Sequence, residues 1–160
     1  MTGTGTGTET GKGVKEAATL AAMDGYPFAC TIQVRWRDVD ALGHVNNAVI
    51  VTYLETARAE LWRERFGGGT AIPFMVAHLE VDYRRQISLD DRVWVGVRVS
   101  ALRGARYSFE YRVEANGELA AEAVTVMAHV RPGERRPSRI PDDLRARLAA
   151  LEGPEGAVSP

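Results

Sequence analysis

Hydrophobic periodicity changes twice along this chain, and the two changes leave few folds open. Phe28, Cys30, Ile32, Val34 and Trp36 alternate with polar or small residues, the period of a strand with one buried face. From Ile50 the spacing lengthens: Ile50, Leu54, Ala57 and Leu61 recur at helical intervals, with Tyr53 on the same side. Asn46 or Asn47 can cap this helix and Gly67 to Gly69 stop it, which predicts a helix over roughly 47–66. Alternation then returns in Met75, Ala77, Leu79, Val81 and Tyr83, in Val93, Val95, Val97 and Val99, and in Tyr107, Phe109, Tyr111 and Val113. Leu119 to Val130 is apolar at nearly every position from Ala123 to Ala128, as in a strand covered on both faces. Arg103-Gly104 marks a tight turn. Asn116-Gly117 is the strongest hairpin signal, because both residues tolerate positive φ. The order is strand, long helix, four antiparallel strands. One helix cannot cover both faces of such a sheet, so either the sheet curls around it or another subunit covers the remainder.

The flanks carry less information. Residues 2–13 read TGTGTGTETGKG, with almost no apolar side chain to offset ordering entropy, and are expected to be disordered. Lys12 does not complete a phosphate loop, because Thr6 and Gly13 stand where that motif needs Gly and Ser or Thr. Val14 to Met23 has weak helical character. A terminal helix is expected where Pro141 precedes Asp142 and Asp143 and then Leu144, Leu148 and Leu151. The folded domain is therefore expected over 26–152, with loose tails at 1–25 and 153–160.

Bulk properties narrow the function classes. A chain of 160 residues supports one domain with a real core. Net charge is −1 with no block of one sign, against the basic stripe of a nucleic-acid binder. Cys30 is the single cysteine, so no intrachain disulfide forms, which fits a reducing compartment. No apolar run nears the roughly 20 residues of a membrane helix, and the N-terminus lacks a signal-peptide pattern. Cytoplasmic localisation is the expectation, with neither nucleic acid nor membrane as partner.

The chemistry is concentrated in Arg35-Trp36-Arg37-Asp38-Val39-Asp40-Ala41-Leu42-Gly43-His44-Val45-Asn46-Asn47. A carboxylate just before a helix can activate water or attack a carbonyl, and the unpaired N–H groups at the helix start can hold a developing oxyanion. Gly43 leaves room where a substrate approaches the backbone. Taken alone, Asp38 and Asp40 read as turn and cap residues.

The ordered series Asp38, Asp40, Gly43, His44, Val45, Asn46, Asn47, then Tyr53, Glu55, Ala57 and Arg58, closely resembles the 4-hydroxybenzoyl-CoA thioesterase branch of the hot-dog superfamily. The resemblance spans roughly residues 28–150. It implies an α+β hot-dog fold, a curved antiparallel sheet of about five strands wrapped around one long central helix. It also implies hydrolysis of an acyl-CoA thioester. By this resemblance Asp40 is the nucleophile or general base, a backbone N–H near Asn47 the oxyanion donor, and His44 a residue orienting water or substrate. Gly43, Val45 and Ile50 would line the substrate site; Ile50 replaces the Tyr common in the family, which alters pocket shape. Arg103 and Arg106, flanking a turn, would meet the CoA phosphates. A homodimer or homotetramer sharing its sites is implied, with no cofactor, CoA being part of the substrate.

Other readings stand beside this one. Asp38 reads as a residue that makes structural hydrogen bonds, and Glu55 can pair with Arg58 one helical turn on. Asp38, Asp40 and His44 are too few for a recognised metal site. His78 and His129 read as strand residues. Neither a G-x-S-x-G elbow nor a dinucleotide loop is present in the body of the chain. Alternatives are a non-catalytic acyl-CoA sensor, for which Asp40 would have no use, and a thioesterase acting on acyl-carrier-protein substrates. For the latter, Arg131, Arg135, Arg136 and Arg139 offer a basic face.

Overall fold

A computed structural model describes residues 23–68 and 73–153 of the chain. Strand β1 (Phe28–Gln33) leads through a single 3-10 turn, Trp36–Asp38, to helix α1 (Asn47–Phe66). Strands β2 (Phe74–Tyr83), β3 (Arg92–Arg103), β4 (Arg106–Ala115) and β5 (Glu118–His129) follow, then helix α2 (Asp142–Ala149). The five strands form one sheet in the order β1-β3-β4-β5-β2, and all neighbours are antiparallel. This is the α+β arrangement expected of a hot-dog fold. The helix expected over Val14–Met23 falls, but for Met23, on residues outside those described, as do most of both tails.

The periodicities explain the layers. α1 turns Ile50, Tyr53, Leu54, Ala57 and Leu61 onto the sheet and lies against β1 and β3. Beneath it sit Val93, Val95, Val97 and Val99 of β3 and Tyr107, Phe109, Tyr111 and Val113 of β4, all buried. Full burial of a Leu such as Leu54 or Leu61 stabilises the fold by about 2 kcal/mol. Gly67 ends α1 in the left-handed conformation, at φ +83°. The β4–β5 hairpin turns on Asn116 and Gly117, at φ +55° and +83°. α2 packs on β3 through buried Leu144 and Leu148 beside the C-terminal end of α1, where Arg147 donates to Arg65 O and lies over the Phe66 ring, and Leu151 O accepts a hydrogen bond from Val99 N–H. No helix among the described residues is long and apolar enough to cross a membrane.

Three strand details depart from the sequence pattern. Trp36 does not continue the buried face of β1: the 3-10 turn carries it outward and leaves it 82% exposed. β5 is not covered on both faces; buried residues alternate with half-buried Glu122, Val124 and Val126. In β2 the strict alternation fails at Ala77, where a bulge separates Val76, opposite Met127, from His78, opposite Val126. The extra residue puts Met75 on the outer face of the sheet. Val76, Leu79, Val81 and Tyr83 face inward, beside α1. α1 does not reach over them: Val76 stays 49% exposed and Leu79 37%. The far edge of β2 pairs with no strand among the described residues.

Candidate active site

The loop between β1 and α1 is built on Asp38. Its carboxylate is buried, and accepts hydrogen bonds from Arg35 N–H at 2.9 Å, from the Arg35 guanidinium and from the Tyr53 hydroxyl at 2.9 Å. Burial alone would raise the Asp38 pKa, but the Arg35 side-chain and backbone hydrogen bonds and the Tyr53 hydroxyl together hold it below the usual carboxylate range. The same contact acts in the other direction on Tyr53, raised by burial first and then by its bond to Asp38. Asp38 is thus a buried tie between the loop and α1, as its structural reading anticipated.

Asp40 stands differently. It is half-exposed, and its Oδ1 accepts Leu42 N–H at 2.8 Å in a turn also closed by Gly43 N–H on Asp40 O and Asp40 N–H on His44 O. Its Oδ2 has no partner among the described residues. Gly43 sits at φ +84°, which suits glycine in this turn, and a Cβ there would meet no protein atom; Gly43 itself is not among the residues that line the neighbouring cleft.

The start of α1 divides its unpaired N–H groups unequally. Asn46, the N-cap, takes Ala48 N–H on its side-chain oxygen at 2.9 Å, while Val49 and Ile50 donate to Asn46 O. Asn47 N–H is left without an acceptor among the described residues. Tyr83 at the end of β2 donates its hydroxyl to Asn47 O at 3.1 Å, tying the helix start to that strand.

These parts meet in one cleft of about 460 Å³. Asp40, His44, Val45, Asn47 and Ile50 all line it, so the structure gathers five of the residues singled out in the sequence. Val45 is pinned there by its N–H on Ile87 O, and Ile50 is buried at the rear. Arg84 and Arg85 also line the cleft and had not been singled out; a basic pair directly after a strand was the available signal. Both are partly engaged, Arg84 by Glu122 and Arg85 by Glu118 and Ala115 O. Arg103 and Arg106 lie elsewhere, at the β3–β4 hairpin, which adjoins the Phe74 end of β2 and not the Tyr83 end. Glu55 and Arg58 do not pair: Arg58 donates to the Tyr111 hydroxyl at 3.1 Å instead. His78 reaches Glu80 on the exposed face of β2, and His129 is buried against Ser138. Among the described residues no three His, Cys, Asp or Glu side chains converge.

A carboxylate oxygen and a helix-start N–H that have no partner among the described residues, on two residues that line one cleft, match what acyl transfer requires. The chain matches a known family and known proteins over most of its length. An acyl-CoA thioesterase of Haemophilus influenzae, YbgC, is 31% identical over 131 residues, covering 78% of this chain and 96% of that protein. A 1,4-dihydroxy-2-naphthoyl-CoA hydrolase of Synechococcus elongatus is 28% identical, covering 70% of this chain and 88% of that protein. A Thermus thermophilus thioesterase, solved as a complex with coenzyme A and Zn, superposes with a TM-score of 0.72 at 42% identity, covering 81% of this chain and 98% of that one. The family model of the thioesterase-like superfamily matches residues 34–148, and the chain belongs to that family.

Proposed function

We propose that this chain hydrolyses acyl-CoA thioesters, with Asp40 as the reacting carboxylate and Asn47 N–H as an oxyanion donor. One observation carries the reading. Asp40 Oδ2 and Asn47 N–H both lack partners among the described residues, and both residues line the same cleft. The names of the relatives support the substrate class. In the general-base route Asp40 takes a proton from water, the hydroxide adds to the thioester carbon, and Asn47 N–H stabilises the oxyanion. The C–S bond then breaks and the sulfur leaves as a thiol with the proton Asp40 held. In the nucleophile route Asp40 attacks the carbonyl carbon, the C–S bond breaks and the CoA thiolate leaves; water then hydrolyses the resulting mixed anhydride, freeing the acid and the Asp40 carboxylate, and the proton released ends on the thiolate. Arg84 and Arg85 at the rim suit the phosphates of CoA. His44, in the same wall, would orient water or the thioester.

The working unit in this proposal is a homodimer. β2 offers an open strand edge and an uncovered apolar inner face, the features that pair with a second copy. Antiparallel pairing of two β2 edges would set the Phe74 end of one copy beside the Tyr83 end of the other. That would carry Arg103 and Arg106 towards the neighbouring Asp40 cleft, the role the sequence suggests for them. The test is thiol release from a panel of acyl-CoAs by the wild-type chain and Asp40→Asn. Turnover lost in the variant supports the reading. Binding without turnover on every ester overturns it in favour of a sensor, and turnover confined to acyl-carrier-protein esters overturns the choice of CoA.

A further inference from the structure

A second cavity, of about 210 Å³, opens between α1 and the inner face of the sheet, towards the Phe74 end of β2. Its walls are mostly apolar: Trp62 from α1, Phe74 and Val76 from β2, Phe109 from β4 and Met127 from β5. It is larger than the cavity of about 150 Å³ that holds benzene in an otherwise apolar core. Two polar groups in it stand out. Tyr107 lines the cavity and is only 2% exposed, yet its hydroxyl makes no hydrogen bond among the described residues. Arg58 is half-buried and pairs with no carboxylate among the described residues. Its guanidinium is held by the Tyr111 hydroxyl at 3.1 Å, which is itself bonded to buried Thr125 at 3.0 Å. One N–H of the five on the guanidinium is used there, so donors remain for a ligand. Glu55 also lines the cavity.

The two cavities share the same walls, α1 and β2. On β2 the partly exposed Leu79 and Val81 stand between Val76 and Tyr83 on the inner face, and on α1 Val51 stands one turn after Asn47 and one turn before Glu55. From Asn47 to Arg58 the helix rises about 16 Å. At roughly 1.2 Å per bond of an extended chain, that span corresponds to an acyl group of about ten to twelve carbons, given that Arg58 leans back towards the helix start.

We infer that this second cavity is the seat for the far end of the substrate's acyl group, and that Arg58 and Tyr107 select an acyl chain ending in a hydroxyl. The inference rests on the hydrolase reading proposed above. A hydroxyl oxygen accepts from Arg58 while its hydrogen is shared with Tyr107, so both open groups are satisfied at once. A plain methyl end leaves Tyr107 unpartnered and dry. A carboxylate end satisfies Arg58 but meets Glu55 on the same wall.

The test compares kcat/KM for octanoyl-, decanoyl- and dodecanoyl-CoA with their ω-hydroxy and ω-carboxy counterparts. The enzymes are the full-length wild type, Tyr107→Phe and Arg58→Met. At the best chain length the wild type is expected to favour the ω-hydroxy ester over both others by about tenfold or more. Tyr107→Phe keeps the ring and the packing, and should bring the hydroxy-to-methyl ratio towards one, as should Arg58→Met. No preference in the wild type, preference for the ω-carboxy ester, or a preference unchanged in both variants would overturn the subsite while leaving the hydrolase reading intact. No turnover of any ester would overturn the hydrolase reading and this inference with it.

Discussion

Tyr53, two turns into α1, donates its hydroxyl to Asp38 at 2.9 Å, so the loop that carries Asp40 is bonded to the helix whose N-terminus it faces. Removing either partner should loosen both. Asp38→Asn is expected to cost about 2 kcal/mol, and Tyr53→Phe about 1 kcal/mol, in urea unfolding at neutral pH. The Asp38 carboxyl is held below its ordinary value in the folded chain, so the unfolded chain binds the proton more readily. The stabilisation is therefore complete above about pH 4 and lost as pH falls through the lower folded-state pKa. The wild type should lose stability on acidification from pH 5 more steeply than Asp38→Asn does. Parallel curves for the two proteins would remove Asp38 from that account.

Asp40→Asn keeps the oxygen that accepts Leu42 N–H and removes the negative charge. It should lower kcat by about 10²–10⁴-fold and leave the urea midpoint nearly unmoved. A large loss of stability with activity retained would return Asp40 to the role of a turn residue.

Gly43→Ala tests the same loop without touching its chemistry. The added methyl meets no atom, so the cost comes only from φ +84°, about 1 kcal/mol. Activity should fall further than stability, since the Asp40 carboxylate and His44 flank the turn. An effect of several kcal/mol would point to a steric role that the geometry does not contain.

Cys30 is pushed up to about 11 by burial, with Glu60 and Glu64 adding to the shift. It should react with a disulfide reagent at pH 8 far more slowly in the native chain than in denaturant. Native labelling as fast as that of the unfolded chain would contradict its half-buried position.

Replacing Leu79, on the uncovered inner face of β2, with Asp should shift the protein towards monomer in sedimentation. A monomeric wild type of full activity would set aside the dimer.

How much of this was legible in the sequence differs from element to element. α1 was readable to its ends because its apolar spacing, its Asn cap and its glycine stop agree. The Asp40 to Asn47 cluster was readable because its members are neighbours in the chain. Trp36 was misplaced because alternation says nothing of where a strand gives way to a 3-10 turn. Arg84 and Arg85 were passed over because only the fold returns the end of β2 to the start of α1. Local spacing allowed Arg58 to pair with Glu55, whereas a tyrosine 53 positions away in sequence captured it. Contacts within a helical turn or a hairpin are written in the sequence; choices between a near and a distant partner are settled by packing.

The bulge at Ala77 divides β2 into two lengths that keep separate registers. Phe74 and Val76, on one side of it, border the cavity near Trp62; Val81 and Tyr83, on the other, lead to the Asp40 cleft. Changes of size at the first pair need not propagate along the strand into the second. A lineage of such chains could therefore exchange one acyl group for another by altering a few side chains before the bulge, while the residues that break the thioester stay as they are.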